Sequence, residues 1–349
     1  MIKLLIVEDS RVVSEYLSYI FNSDPEINVI GNVSNGKDAI EFIQKQKPDV
    51  ITMDIDMPIM DGLEATRIIM STTPIPIIIV TASRHANEVN TSMEALASGA
   101  LAVIEKPVGF EHPKADELAR KMLKMVKLMS EVTVITRRFK SKKELQTTNI
   151  YSNATPVILK VPEIVAIGVS SGGPQTLNIV FSKISENFPV PILVVQHISY
   201  GFLDGLVNWL QKTVKNPIQV ATDNEYPKSG YIYFAPDGYH MELNRNGLIK
   251  LEKGKSNNGI CPSIAKLFTS VAEAKKDKAL GIILTGMGSD GSLELKLIRD
   301  AGSTTIAQSK ESALIYGMPK VAVEHNAVDY ILSAEDISKY LFDIEMKTL

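Results

Sequence analysis

The stretch IKLLIVEDSRVVSEYLSYIF (residues 2–21) decides the fold. Its opening run, IKLLIV, is apolar apart from Lys3 and is closed by acids. A short, nearly continuous apolar run of this kind reads as a strand covered on both faces, as in a parallel sheet. RVVSEYLSYIF then spaces its apolar residues for one face of a helix. The same alternation continues through INVIGNV, GKDAIEFIQK, DVITMD, GLEATRIIM, IPIIIVT, ANEVNTSMEALASG and LAVIEKP, and then into a long helix from about Pro113. Strands and helices taken in turn specify an α/β doubly wound parallel sheet, whose working residues gather at the carboxyl ends of the strands.

A chain of 349 residues is long for one core, so two domains are expected. From about Ser130 to Pro162 the texture becomes polar and aperiodic, with a basic cluster at Arg137, Arg138, Lys140, Lys142 and Lys143. It reads as a solvated linker, because no aromatic stacking pattern accompanies the charges. From EIVAIGVS onward strands and helices alternate again, with PILVVQH, YIYFAP, ALGIILT and GSTTIAQ as strands, so a second doubly wound α/β domain is expected. The expected boundaries are 1–127 for the first domain, 128–161 for the linker and 162–349 for the second domain.

The composition is 45% hydrophobic and 22% charged with a net charge of -3, which argues against a nucleic-acid-coating surface. The single cysteine, Cys261, excludes an internal disulfide framework and fits a reducing, cytoplasmic compartment. The N-terminus lacks a signal-peptide apolar region, and no apolar run approaches the roughly 20 residues of a membrane span, so no direct membrane insertion is expected.

In the first domain Glu8 and Asp9 end the first strand and Asp54 ends the third. If those strands are neighbours, three carboxylates converge and repel unless a cation neutralises them, and Mg²⁺ suits hard oxygen donors. Thr81 closes the fourth strand and Lys106 the fifth. An acid cluster, a hydroxyl and a lysine around one carboxylate make a phosphoryl-acceptor site. VEDS, MDIDMPIMDG, VTAS and EKP together resemble the response-regulator receiver domain over about residues 1–125. That resemblance implies a flavodoxin-like fold, phosphate acceptance by Asp54, and Mg²⁺ held by Glu8, Asp9, Asp54 and the backbone carbonyl of Asp56. It also implies phosphoryl sensing by Thr81 and Lys106, and a histidine kinase as phosphodonor. Val103 stands where many receivers carry an aromatic switch residue.

The second domain opens on VAIGVSSGGP (residues 165–174), a strand running into a knot of Ser and Gly. Residue types alone allow a nucleophile at Ser170, a phosphate cradle or a plain turn; GVSSG satisfies the G-x-S-x-G nucleophile-elbow pattern. A serine nucleophile needs a base, and His197 ends the next strand, PILVVQH. His85 and His112 lie in loops of the first domain, His325 lacks a supporting motif, and His240 begins a strand, where it suits a structural hydrogen bond. ILTGMGSDG delivers Asp290 to a strand end as the orienting acid, and its turn offers Met287 as an oxyanion donor. The order Ser–His–Asp differs from that of the α/β-hydrolases, but unrelated triads occur in any order. GMGSDG also fits a dinucleotide fingerprint with Glu311 about twenty residues on, although it lies late in the domain.

AIGVSSGGP, VVQH, YIYFAPDGYHMEL, ILTGMGSDG, and TIAQ followed by YGMP resemble the chemotaxis protein-glutamate methylesterase/glutaminase (CheB) family, from about Glu163 to near the C-terminus. The resemblance implies Ser170 as nucleophile, His197 as base and Asp290 as its acid, with Ser171 and Met287 around the oxyanion and substrate and no cofactor in this domain. It implies phosphorylation-activated hydrolysis of γ-glutamyl methyl esters, and deamidation of glutamines, on methyl-accepting chemoreceptors. One departure falls in NNGICPSIAKLF, where Ile260, Cys261 and Ala265 replace the family's usual basic and acidic residues. Cys261 has no feature nearby to lower its pKa and is not expected to act as a nucleophile. A regulatory scaffold with a catalytically dead second domain is the main non-enzymatic alternative; a DNA-binding output is disfavoured by the acidic balance.

Overall fold

The computed structural model describes residues 1–81, 86–107, 115–132, 161–254 and 260–348. His85, His112 and the basic cluster of the expected linker lie outside these residues. The chain divides into two compact units, Met1–Lys143 and Glu144–Leu349.

In the first unit, β1 (Ile2–Val7), β2 (Ile27–Val33), β3 (Val50–Met53), β4 (Ile77–Thr81) and β5 (Ala102–Glu105) alternate with α1 (Arg11–Asn22), α2 (Gly36–Lys45), α3 (Gly62–Thr72), α4 (Ala86–Ala97) and α5 (Ala115–Ser130). The sheet is parallel in the order β2-β1-β3-β4-β5. Leu4, Leu5 and Ile6 are fully buried, as a strand covered on both faces requires. Helix α1 buries Ser14, Leu17, Ile20 and Phe21, one face at helical spacing. Helices α2 and α3 start where short polar side chains cap them: Asn35 accepts from the Asp38 amide at 2.9 Å and Asp61 from the Glu64 amide at 2.7 Å. Because β1 lies beside β3, with Val7 opposite Met53, the residues that follow both strands meet at one edge.

The second unit contains β6 (Ile164–Val169), α6 (Gly173–Val180), β7 (Ile192–Gln196), α7 (Leu203–Gln211), β8 (Ile218–Val220), β9 (Ile232–Phe234), β10 (Tyr239–Leu243) and β11 (Ile249–Lys253). It continues through α8 (Ile264–Lys275), β12 (Ala279–Ile283), α9 (Leu295–Asp300), β13 (Thr304–Gln308), α10 (Met318–Glu324), β14 (Tyr330–Leu332) and α11 (Ala334–Met346). Seven of its strands form a parallel sheet ordered β14-β13-β12-β6-β7-β9-β8. The chain moves to one side of β6 through β7 and later to the other side through β12. The strand order therefore reverses at β6, where a doubly wound sheet opens a crevice at its carboxyl edge.

The strands β10 and β11 stand outside that alternation as an antiparallel hairpin, with His240 opposite Glu252. Helix α8 packs against β10 and against β6. Its seat on the sheet depends on Gly168, the penultimate residue of the buried strand β6. A Cβ there would lie 2.3 Å from Ile264 Cγ2 and 3.2 Å from Phe268 Cζ, both fully buried. The first residue of α8 thus rests directly on the backbone of β6.

Gly168→Ala forces Ile264 off this seat. It should destabilise the second unit by about 1–3 kcal/mol, the usual cost of overpacking a filled core. Urea unfolding followed at Trp209, in α7, reads this; an unchanged midpoint would show that α8 is not held by the close approach.

Candidate active site

Ser170 follows the last residue of β6 and is 9% exposed. Its amide donates to the Thr285 carbonyl at 3.0 Å, and its carbonyl accepts from Gly173 at 2.9 Å, closing the turn into α6. Gly172 takes a left-handed φ of 80° and Pro174 sits in the first turn of α6, so GGP makes the sharp strand-to-helix turn. Across from it, Gly286 comes so close that a Cβ would stand 2.6 Å from Ser170 Cβ and 2.7 Å from Met318 Sδ. The first glycine of GMGSDG therefore serves the Ser170 turn. Glu311, the acid of that dinucleotide alternative, is exposed.

The base candidate is set by strand pairing. Val169 of β6 lies opposite Gln196 of β7, and the His197 amide donates to the Val169 carbonyl at 2.9 Å. Ser170 and His197 thus leave adjacent strands at the same level. Nε2 of His197 lies 2.9 Å from Asp290 Oδ2, with both side chains only 13% exposed. That leaves Nδ1 as the ring nitrogen not engaged by the acid.

Asp290 is held from a direction that strand ends alone do not reveal. Oδ2 accepts from the Ile264 amide at 2.7 Å, and Oδ1 accepts from the Ala265 amide at 3.2 Å and from the Ser263 hydroxyl at 3.0 Å. Ser263 caps α8, and the carboxylate therefore sits on the positive end of that helix. Burial alone would push the Asp290 carboxyl up. The hydrogen bonds from His197 and the α8 amides outweigh burial and hold it below the usual carboxylate range. The acid is ionised and oriented before any substrate arrives.

Ser263 is the residue that sequence reading missed. A serine opening an apolar-periodic run signals an N-cap, but nothing local says which distant acid will meet the capped end. The departures in the same segment now have a place. Ala265 reaches Asp290 through its backbone, Ile260 is exposed, and burial pushes the Cys261 thiol up and away from a reactive thiolate.

Of the remaining histidines, His325 ends α10 and is exposed. His240 lies on β10, and its buried Nδ1 makes no hydrogen bond among the described residues. Burial, followed by Lys266, lowers its pKa, so its ring is held neutral. Ser171 and Met287 flank the Ser170 turn; among the described residues neither backbone N–H is engaged by another group, while the Ser171 carbonyl accepts from the Thr285 hydroxyl at 2.9 Å. Free amides at such a turn can receive a developing oxyanion.

In the first unit, oxygen atoms of Glu8, Asp9 and Asp54 lie within 4.8 Å of one another. Lys106 Nζ donates to Asp54 Oδ2 at 2.7 Å and to Glu8 Oε1 at 3.0 Å. Glu8 Oε2 is 2.9 Å from the same Nζ but outside hydrogen-bond geometry, and it is a buried acceptor without a hydrogen-bond partner among the described residues. Burial raises the Glu8 and Asp54 carboxyls above their ordinary values despite Lys106. Burial alone would lower Lys106, but its bonds to Asp54 and Glu8 hold it above the ordinary lysine value. Three carboxylates against one ammonium leave two negative charges on hard oxygen donors. This set fits a hard dication such as Mg²⁺. Thr81 is buried at the end of β4, its carbonyl 2.7 Å from the Lys106 amide, while the side chain of Asp56 is exposed and outside the acid group. Val103 is buried within β5.

Comparisons with known proteins agree with this division. Residues 165–341 match the CheB methylesterase family, and residues 4–115 match the response regulator receiver domain. A protein-glutamate methylesterase/protein-glutamine glutaminase of Syntrophus aciditrophicus is 46% identical over 343 residues, covering 98% of this chain and 97% of its own length. A protein of the same description from Nitrosospira multiformis is 43% identical, covering 99% and 97%. Among solved structures, the CheB methylesterase catalytic domain of Thermotoga maritima superposes with a TM-score of 0.50 at 36% identity, covering 52% of this chain and 98% of that one.

The hold on Asp290 has a pH signature. A carboxyl depressed by folding contributes stability that is full above its unfolded value of about 3.9 and is lost as pH falls through the lower folded value. The urea-midpoint advantage of the wild type over Asp290→Asn should therefore shrink between about pH 5 and pH 2. A difference that stays constant across that range would show that the acid is not held low.

Proposed function

The chain belongs to the CheB methylesterase family, and from that premise we propose that it is a phosphorylation-activated protein-glutamate methylesterase and glutaminase. It consists of a receiver (1–127), a linker (128–161) and a catalytic domain (162–349). Its substrates are γ-glutamyl methyl esters and glutamines on methyl-accepting chemoreceptors, and its phosphodonor is a chemotaxis histidine kinase. It works in the cytoplasm in chemotactic adaptation.

The observation that carries the catalytic reading is the His197–Asp290 contact, locked to the start of α8 at the sheet edge where Ser170 emerges. Ser170 Oγ attacks the ester carbonyl while Nδ1 of His197 takes its proton. Asp290 fixes the tautomer with the proton on Nε2 and stabilises the imidazolium as it forms. The amides of Ser171 and Met287 receive the oxyanion. The imidazolium returns the proton to the departing methoxide, and methanol leaves. Water, deprotonated by the same imidazole, then attacks the acyl-serine, releasing the glutamate carboxyl and restoring Ser170. With a glutamine side chain the leaving group is ammonia.

Asp54 is the phosphoryl acceptor. Glu8, Asp9, Asp54 and the Asp56 carbonyl would hold Mg²⁺, which would supply positive charge to the phosphoryl oxygens. Lys106 and Thr81 then bond the phosphoryl group, so the Lys106 contacts to Glu8 and Asp54 are the ones that phosphorylation must rearrange. In the unphosphorylated state the receiver restrains the catalytic domain, and phosphorylation shifts the population toward the active form.

The alternative of a catalytically dead scaffold draws on the altered GICPSIA segment. It is weakened because the contacts of that segment with Asp290 come from Ser263 and from two backbone amides, which the altered side chains leave in place.

Initial rates of methanol release from methylated receptor membranes test this reading. Ser170→Ala, His197→Ala and Asp290→Ala should each lose about 10⁴-fold or more, with losses that do not add in combination. A folded Ser170→Ala protein that keeps its activity would exclude the serine mechanism. For the receiver, a small-molecule phosphodonor with Mg²⁺ should label Asp54 and speed the wild type, while Asp54→Asn should be neither labelled nor activated. Undiminished label on Asp54→Asn, read by intact mass, would move the acceptor elsewhere.

A further inference from the structure

Gln196 ends β7 and is 3% exposed, one residue before the base candidate. Its side-chain Nε2 donates to the Ser170 carbonyl at 2.9 Å and to the His197 carbonyl at 2.8 Å. We propose that Gln196 is a positioning residue, which ties the backbone of the nucleophile to the backbone of the base and so sets their approach. The inference rests on the reading of Ser170 and His197 above.

The amide has two N–H bonds and meets two carbonyl oxygens, so its donor capacity is used in full. The reversed amide would set Oε1 against both carbonyls, which fixes the orientation. The Ser170 carbonyl takes a second bond from the Gly173 amide at 2.9 Å, and the Ser170 amide is tied to Thr285 at 3.0 Å. The His197 amide is tied to Val169 at 2.9 Å. Both residues are therefore held at N–H and C=O. Gln196 is the one side chain among the described residues that bonds both. Fixing both backbones fixes both Cα–Cβ directions, the origins from which Oγ and the ring reach toward each other by side-chain rotation.

The arrangement carries a cost that packing alone does not require. Gln196 Oε1 is buried and makes no hydrogen bond among the described residues. A methionine would fill the same space without an orphaned acceptor. The start of α6 is shaped around that oxygen, since a Cβ on Gly173 would lie 1.9 Å from Oε1. A polar group kept in a buried strand position at this cost, and bonded to both members of the reacting pair, is placed for their geometry.

The test uses the full chain and two readouts: inactivation by a fluorophosphonate, which reports serine nucleophilicity, and kcat and KM for methyl ester hydrolysis. Wild type should be phosphonylated once, at Ser170, and Ser170→Ala not at all. Label at another residue would overturn the nucleophile assignment, which is a separate failure. Gln196→Met should lower both the phosphonylation rate and kcat by about 10–100-fold, the scale of an ångström-level misplacement, with KM moving less than about twofold. Gly173→Ala, which leaves Gln196 in the chain but drives a methyl into Oε1, should act in the same direction. Folded Gln196→Met with wild-type phosphonylation and kcat would overturn the proposal. So would a loss that vanishes once rates are normalised to the folded fraction. If Gln196→Met fails to fold, Gly173→Ala decides by the same criteria, and failure of both to fold would show that the bond serves the fold instead of the pair.

Discussion

The carboxylate of Asp290 at the N-terminus of α8 is the contact on which the catalytic unit depends. It receives two backbone amides and a hydroxyl from the start of that helix and bonds the His197 ring with the oxygen that also takes the Ile264 amide. Three segments far apart in the chain thereby meet at one group: the turn after β12, the end of β7 and the capped helix. Each has its own reason to be there. Parallel pairing fixes His197 beside Ser170, Gly168 lets Ile264 settle on β6, and Ser263 stops α8 at the right residue. On the proposed reading of Ser170, His197 and Asp290, an acid held this way needs no further reorganisation when the imidazole becomes charged.

The two acidic sites of the chain solve opposite problems with the same residue types. Asp290 is partly buried but surrounded by donors, and its carboxyl is pulled below the ordinary range. Asp54 and Glu8 are buried with one lysine between them, and their carboxyls are pushed above it. Burial acts in the same direction in both places, so the donors around each carboxylate, together with repulsion from neighbouring acids at Glu8 and Asp54, decide the sign. A fully donated carboxylate suits a residue that must stay charged and still. An under-compensated pair suits a site that a cation would complete.

Much of this architecture was legible because periodicity reports burial. IKLLIV and IVAIGV are covered on both faces, and their unbroken apolar runs say so. Asn35, Asp61 and Ser333 sit just before helical runs and cap them. The placement of Ser170 and His197 on neighbouring strand ends followed from strand alternation alone. The hairpin of β10 and β11 was not foreseen: YHMEL alternates for five residues only, and the parallel alternation around it gave no sign of an antiparallel pair. Ser263 and Gln196 escaped for a different reason. Each is ordinary for its local element, a cap and a strand end, and acquires its second role from a partner that tertiary packing brings to it.

That distinction bears on the departures in the segment before α8. Side-chain replacements at Ile260, Cys261 and Ala265 alter what the surface there presents, but the groups that hold Asp290 are a serine hydroxyl and two amides belonging to the helix itself. A helix terminus offers these donors whatever side chains follow, so long as the helix begins at that residue. The hold on Asp290 is therefore set by where α8 starts, and the side chains of Ile260, Cys261 and Ala265 take no part in it.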